Sequence, residues 1–265
     1  MGRPLSRGEE VVVRAFRDTW LVFRRYLGMT VRNPAWIVIG MLQPLLYLFL
    51  FAPLLKSVAS IRGFPAGGAY NVFVPGLVIQ LGAFGAAFVG FTLIAELRAG
   101  VVERMRVTPV SRIALLLGRA LRDILVLVVE SLLLVLLALP FGLSIHPSGL
   151  AVILALQALI GLLMASLSYT LALVLRDEGQ LAGVLTTATL PLLLLSGVLL
   201  PLSLAPDWLQ TVADFNPLSY AVDAARAVFN DHLTDVSVLK GVVILAVLAA
   251  GSVVLAARSF NRAIA

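Results

Sequence analysis

Few side chains in this chain of 265 residues have the type and spacing that covalent or metal chemistry demands. There is no Cys, which removes thiolate nucleophiles, disulfides and thiolate-held metals. The two His residues are His146 and His232. His232 has Asp231 and Asp235 nearby, but one His among exposed acids is more often a solvated turn than a metal site. Ser196-Gly197 lies in an apolar run that holds no His to activate a serine nucleophile. Lys56 and Lys240 are the only lysines and neither follows a glycine, so the phosphate-cradling G-x-x-x-x-G-K-[ST] loop is missing. The chain is expected to be no enzyme, with no cofactor and no metal. Glu130 is different, being the only formal charge between Asp123 and Arg176. An ionised carboxylate is costly in such a run, so Glu130 should face protein or water. Two readings stay open: contact with a substrate or proton, or a protonated Glu hydrogen-bonded between helices.

The elements that must hold these residues follow from composition. Sixty per cent of the residues are hydrophobic, 13% are charged, and the mean hydropathy is +1.03. A water-soluble fold of this size cannot hide that much apolar surface. An all-α polytopic membrane protein is expected, because a bilayer core of about 30 Å takes roughly 20 apolar residues per helix. Six spans are read at about 34–55, 70–95, 119–140, 150–174, 180–200 and 237–257. Pro140, Gly142, Pro147 and Gly149 divide the third from the fourth, and Pro191 interrupts the fifth. The chain thus divides into a cytoplasmic N-terminus, 1–33, and a six-helix transmembrane domain, 34–265.

The basic residues orient these spans. Arg3, Arg7, Arg14, Arg17, Arg24, Arg25 and Arg32 precede the first, and Arg98, Arg104, Arg106, Arg112, Arg119 and Arg122 lie around the second loop. Arg176, Arg258 and Arg262 fall on the same side, leaving Lys56, Arg62, Arg226 and Lys240 for the other. The asymmetry places both termini in the cytoplasm. It also accounts for the net charge of +6 without nucleic acid, since the arginines face anionic lipid headgroups. Ser6-Arg7-Gly8-Glu9 reads as a capping box. Val12, Phe16, Trp20, Phe23 and Leu27 then recur at helical spacing among arginines, as in a basic amphipathic helix lying in the membrane interface.

Small and polar residues within the spans point to helix packing. Gly82, Ala86 and Gly90 fall on one face of the second span, and Gln43, Gln80 and Gln157 can hydrogen-bond across helices. In the cytoplasmic loop, about 96–112, Val101, Val102 and Met105 stand beside Glu103, Arg104 and Arg106. Apolar knobs in a charged rim suit a protein partner, with Pro109 ending the short helix. A basic loop facing lipid is the alternative.

That loop, Glu96-Leu-Arg-Ala-Gly100-Val-Val-Glu-Arg-Met105-Arg-Val-Thr-Pro109, resembles the E-x-x-x-G-x-x-E-R-x-x-x-T-P segment of type-2 ATP-binding-cassette exporter permeases, especially the daunorubicin-resistance-like branch. Glu96, Gly100, Glu103, Arg104, Thr108 and Pro109 carry the match. A second stretch resembles that family's C-terminal signature: Leu195-Ser196-Gly197-Val-Leu-Leu-Pro201, then Pro206, Asn216-Pro217-Leu-Ser-Tyr220 and Arg226. The resemblance implies a separate ATPase subunit docking on the cytoplasmic loops and a second permease copy, identical or different, completing the path. It implies export of an amphiphilic drug, lipid-like or polysaccharide substrate across a bacterial plasma membrane, and short re-entrant outer helices at about 201–235. Trp208, Phe215, Tyr220 and Phe229 would serve there as interfacial aromatics, with Asp223 and Arg226 paired at i, i+3. The rival reading is an ion- or proton-coupled secondary carrier using Glu130. Against it stand the lack of further mid-membrane carboxylates and of a repeat between halves.

Overall fold

A computed structural model describes residues 7–51, 53–54, 68–101, 112–199 and 202–263. It is helical, with no strand among the described residues. The helices are α1 (Arg7–Arg32), α2 (Ala35–Leu46), α3 (Gly68–Ala87), α4 (Gly90–Arg98), α5 (Arg112–Ala138), α6 (Pro147–Leu175), α7 (Glu178–Leu194), α8 (Asp207–Ala213), α9 (Pro217–Phe229) and α10 (Val236–Ala263). A π-helical turn, Tyr47–Phe51, continues α2.

Four stretches are long and apolar enough to cross a bilayer: Ala69–Arg98, Ala114–Phe141, Pro147–Leu175 and Val236–Phe260. Ala15–Arg32 and Ile37–Leu50 form a pair bent by 66°, which makes a fifth if it is a single span. The segment expected at 180–200 differs from the sequence reading. It is the 17-residue α7, which holds Pro191 and ends at Leu194. At about 1.5 Å per residue, α7 measures roughly 25 Å, short of the bilayer core. The first expected span is likewise broken up, into the 12-residue α2 with Pro44 inside it and the π turn beyond.

Helix α6 is the hub, resting on α3, α4, α5, α7, α9 and α10. Its buried face carries a run of small residues, Gly161, Ala165, Ser166, Ser168 and Ala172, which let backbones approach closely where hydrophobic driving force is weak. Gly82, Ala86 and Gly90 meet that face. The Gly90 N–H donates to Ser168 Oγ at 2.9 Å, Ser168 donates on to the Ala87 carbonyl, and a Cβ on Gly90 would lie 2.6 Å from Ser168 Oγ. With its amide oriented to suit its neighbours, Gln157 joins three helices. It donates to Val78 O at 3.1 Å and accepts from Ser131 Oγ at 2.9 Å and the Gly82 N–H at 3.1 Å. Gln43 does not cross between helices, since its amide reaches Tyr47 one turn on at 3.5 Å, and Gln80 Oε1 is buried without a partner.

Helix α1 turns Asp18, Val22 and Tyr26 inward against α5 and leaves Phe16 and Trp20 exposed. Gly118 of α5 permits that contact, because a Cβ there would sit 2.6 Å from Val22 Cγ1 and 2.9 Å from Thr19 O. Ser6, the expected cap of this helix, lies outside the described residues.

Candidate functional site

The two family-like motifs fall at opposite ends of the bundle. At the end carrying Arg98, Arg119 and Arg176, Glu96 occupies the last turn of α4. Its carboxylate accepts from Tyr26 OH of α1 at 2.9 Å and pairs with Arg119 of α5, whose guanidinium stacks 5.0 Å from the Tyr26 ring centroid. One turn along α5, Arg122 meets Asp123 at 2.5 Å, and Asp123 accepts a hydrogen bond from Tyr169 of α6. Arg119 and Asp123 are buried. Buried charges of this kind persist only when paired. Nε of both Arg119 and Arg122 is buried without a hydrogen-bond partner. At the surface, Arg98 reaches Asp177 at 3.4 Å and Glu178 at 3.3 Å, contacts about half exposed and therefore weak.

Gly100 follows directly. Its φ of +65° is a left-handed turn that favours glycine, and its N–H donates to Leu97 O at 3.1 Å, closing α4. Val101 packs onto Val22, Tyr26 and Leu115. Val102, Glu103, Arg104, Met105, Thr108 and Pro109 lie outside the described residues. The structure therefore gathers Glu96 and Gly100 with three residues that the sequence motifs did not assign a role here: Tyr26, Arg119 and Asp123. Arg119 and Arg122 read from sequence as loop-edge positive charges. The signal that could have found their partners is the presence of Glu96 and Asp123 at the same end of adjoining apolar runs.

At the other end, Arg226 of α9 is buried and its guanidinium grips two backbone carbonyls, Val72 O of α3 at 3.1 Å and Gly197 O at 2.6 Å. The expected ion pair of Arg226 with Asp223 does not form. The backbone acceptors claim the guanidinium, and Asp223 acts on it only at longer range. Gly197, at φ +72°, turns the chain so that its carbonyl faces Arg226. Ser196 donates to Leu193 O at 2.6 Å, a bond back into the last turn of α7 rather than a nucleophile's use.

Asn216 caps α9, accepting from Leu218 N at 3.0 Å, while its amide donates to Leu192 O of α7 at 2.6 Å. Pro217 supplies the N1 position and Tyr220 OH donates to Asp214 O at 2.8 Å. Pro201 lies outside the described residues. Among the expected interfacial aromatics, Trp208 and Phe215 are exposed, but Phe229 is fully buried. Its place on α9 is the inward face shared with Leu218, Val222 and Ala225. Asn71, which sequence reading missed, donates to Ser144 Oγ at 3.0 Å and Phe229 O at 3.2 Å. Around His232, the acids point elsewhere: Asp231 meets His146 Nδ1 at 2.5 Å, and Asp235 accepts from the Ser237 N–H at 2.7 Å. That backbone bond holds the Asp235 carboxyl below the usual carboxylate range.

Several apolar spans, fastened by buried polar contacts at both ends, define a multi-pass membrane protein. The chain belongs to the ABC-2 type transporter family, whose model matches residues 17–230. It is 30% identical over 228 residues to the protein named transport permease ycf38 of Porphyra purpurea, covering 84% of this chain and 74% of that one. It is 27% identical over 203 residues to the daunorubicin resistance ABC transporter permease protein DrrB1 of Streptomyces coeruleorubidus, covering 73% and 68%. To the doxorubicin resistance ABC transporter permease protein DrrC of Mycobacterium tuberculosis it is 25% identical over 224 residues, covering 83% and 79%. Like them, it is a transporter permease subunit.

Proposed function

We propose that this chain is the membrane subunit of an ATP-driven exporter, with six spans and both termini in the cytoplasm, sited in a bacterial plasma membrane. A separate ATPase docks on the loop 96–112, and a second permease copy completes the path. The substrate is an amphiphile, a drug or lipid-like molecule rather than a polysaccharide. The relatives named for daunorubicin and doxorubicin resistance support this preference.

One observation carries the coupling role. The loop leaves α4 at the end of the turn that holds Glu96, and Glu96 is joined to α1 through Tyr26 and to α5 through Arg119. A partner pushing on that loop therefore moves a helix end fastened to two others, and differential contact with two arrangements is what shifts an equilibrium between them. Val102 and Met105 supply apolar contact, with Glu103, Arg104, Thr108 and Pro109 shaping the loop. At the outer end, the segment 201–235 forms short re-entrant helices held by Arg226.

The test is co-purification with the ATPase, with substrate-stimulated hydrolysis and export measured together. Val102→Asp with Met105→Asp is expected to place unpaired charge in the partner's groove and weaken docking by about 3 kcal/mol. Unchanged co-purification, stimulation and export in that double variant would remove the coupling role from this loop.

A further inference from the structure

Glu130 remains outside both fastened ends. It sits near the middle of the apolar stretch Ala114–Phe141, is only 4% exposed, and makes no ion pair or hydrogen bond among the described residues. Ser131 beside it is taken up by Gln157. A carboxyl group at that depth without a donor is unfavourable as a structural element and is the usual mark of a functional site.

What faces it is equally specific. Gly40 of α2 lies against the carboxyl group, and a Cβ built on Gly40 would sit 3.2 Å from Glu130 Oε1. Gly40 is itself exposed, so the carboxyl group is separated from the outer surface by a residue with no side chain. Pro44, one turn on, has no N–H to give the Gly40 carbonyl, which leaves that oxygen short of its usual helical donor. The rim is mixed: Ile39 of α2 and Leu133 of α5 expose apolar side chains, and Gln43, one turn on from Gly40, is exposed with its amide turned to Tyr47. Helix α2 rests on α3 and α5, with Pro44 and the π turn following Gly40 toward its C-terminal end.

We infer that Glu130 and Gly40 form a binding subsite for the protonated amine of an amphipathic cation, entered sideways from the membrane between α2 and α5. A primary ammonium offers three donors, enough to serve Glu130 Oε1 and the Gly40 carbonyl together, while its apolar body lies on the rim. An anion meets like charge there, and a neutral amphiphile leaves the carboxyl group unsatisfied. The inference rests on the exporter reading for its biological meaning but on Glu130 and Gly40 alone for its chemistry.

The test is equilibrium binding to the full chain in phosphatidylcholine nanodiscs, whose headgroups carry no N–H donor. The probe is a dansyl-labelled alkyl primary amine, and its N-acetylated, uncharged form is the control. The amine is expected to bind about tenfold more tightly than the acetamide. Glu130→Gln should bring the amine down to the acetamide's level and leave the acetamide unaffected. Gly40→Ala keeps the carboxyl group, favours the helix, and should weaken the amine by narrowing its approach. Equal binding of amine and acetamide by the unaltered chain overturns the subsite, and so does amine binding that Gly40→Ala and Glu130→Gln both leave unchanged. If Glu130→Gln fails to assemble, Gly40→Ala with the amine–acetamide comparison decides alone. Binding is read without ATP or a partner, so its failure is distinct from a failure of ATPase-dependent export.

Discussion

The two ends of the bundle are fastened by different chemistry. Where α1, α4, α5 and α6 meet, the ties run between ionised side chains and tyrosines: Glu96 with Arg119 and Tyr26, Asp123 with Arg122 and Tyr169. Where α3, α7 and α9 meet, side chains grip backbone carbonyls instead: Arg226 on Val72 and Gly197, Asn216 on Leu192, Asn71 on Phe229. A carbonyl is fixed to its helix, so a bond to it holds one arrangement. An ion network offers several partners of the same sign, and Arg119 and Arg122 each keep a buried Nε without one. The second end is built to keep its shape and the first to exchange contacts, which suits the end from which the loop 96–112 emerges.

The largest expected effect breaks the ion network. Glu96→Ala strands the buried Arg119 guanidinium, and loss of one partner from a buried pair costs about 3–5 kcal/mol. Thermal unfolding of the purified chain in nanodiscs should show it as a large fall in midpoint. Glu96→Ala combined with Arg119→Met removes both charges and should recover much of that loss, because neighbours in one network are not additive. Simple addition of the two single effects would mean that Glu96 and Arg119 do not act as a pair.

A smaller effect is expected at the carbonyl-gripping end. Arg226→Met deletes two hydrogen bonds from a charged donor and leaves the Val72 and Gly197 carbonyls short, a loss of about 2–3 kcal/mol. No companion substitution of an acid should rescue it. Asp223→Asn should change stability little, since Asp223 makes no contact ion pair with Arg226 (among the described residues, the Arg226 guanidinium bonds only to backbone). Hydrogen exchange at residues 195–199 is the readout. Rescue of Arg226→Met by Asp223→Asn would show the second end to be an ion network too.

How much of this was legible depends on what each contact is made of. Apolar runs are local, so the helices α3, α5, α6 and α10 were readable from hydropathy, as was the small face Gly82–Ala86–Gly90. The contact partners were not. Arg119 lies 23 residues from Glu96, and Tyr26 lies 70 residues from it, and no local period joins them. The acceptors of Arg226 are backbone carbonyls, which leave no trace in residue type, so the nearby Asp223 was the natural but mistaken partner. The shortness of α7 was hidden because the apolar composition continues past Leu194 while the helix does not. Glu130 was conspicuous as a charge, but the gap at Gly40 depends on how α2 lies on α5.

The smallest effect sharpens the comparison at the starts of two neighbouring helices. Asn216 opens α9 with a neutral amide acceptor, and Asp235 opens α10 with an exposed carboxylate that accepts from Ser237 N at 2.7 Å. A carboxylate at a helix N-terminus gains from the helix dipole as well as from the hydrogen bond, and the bond to Ser237 lowers its pKa in the folded chain. A lowered folded pKa means that the extra stability is present above the ordinary carboxylate range and lost as pH falls through the lowered value. Asp235→Asn keeps an oxygen for the Ser237 N–H but cannot titrate. Amide exchange in the first turn of α10 should therefore be slower in the unaltered chain than in Asp235→Asn at neutral pH, with the difference closing in acid. The first turn of α9, capped by Asn216, should show no such closing, and Asn216→Asp should introduce it. A constant ratio between the unaltered chain and Asp235→Asn across the acid range would mean that the Asp235 carboxyl contributes no pH-dependent cap. The two ends of the outer segment would then be held alike, by neutral hydrogen bonds alone.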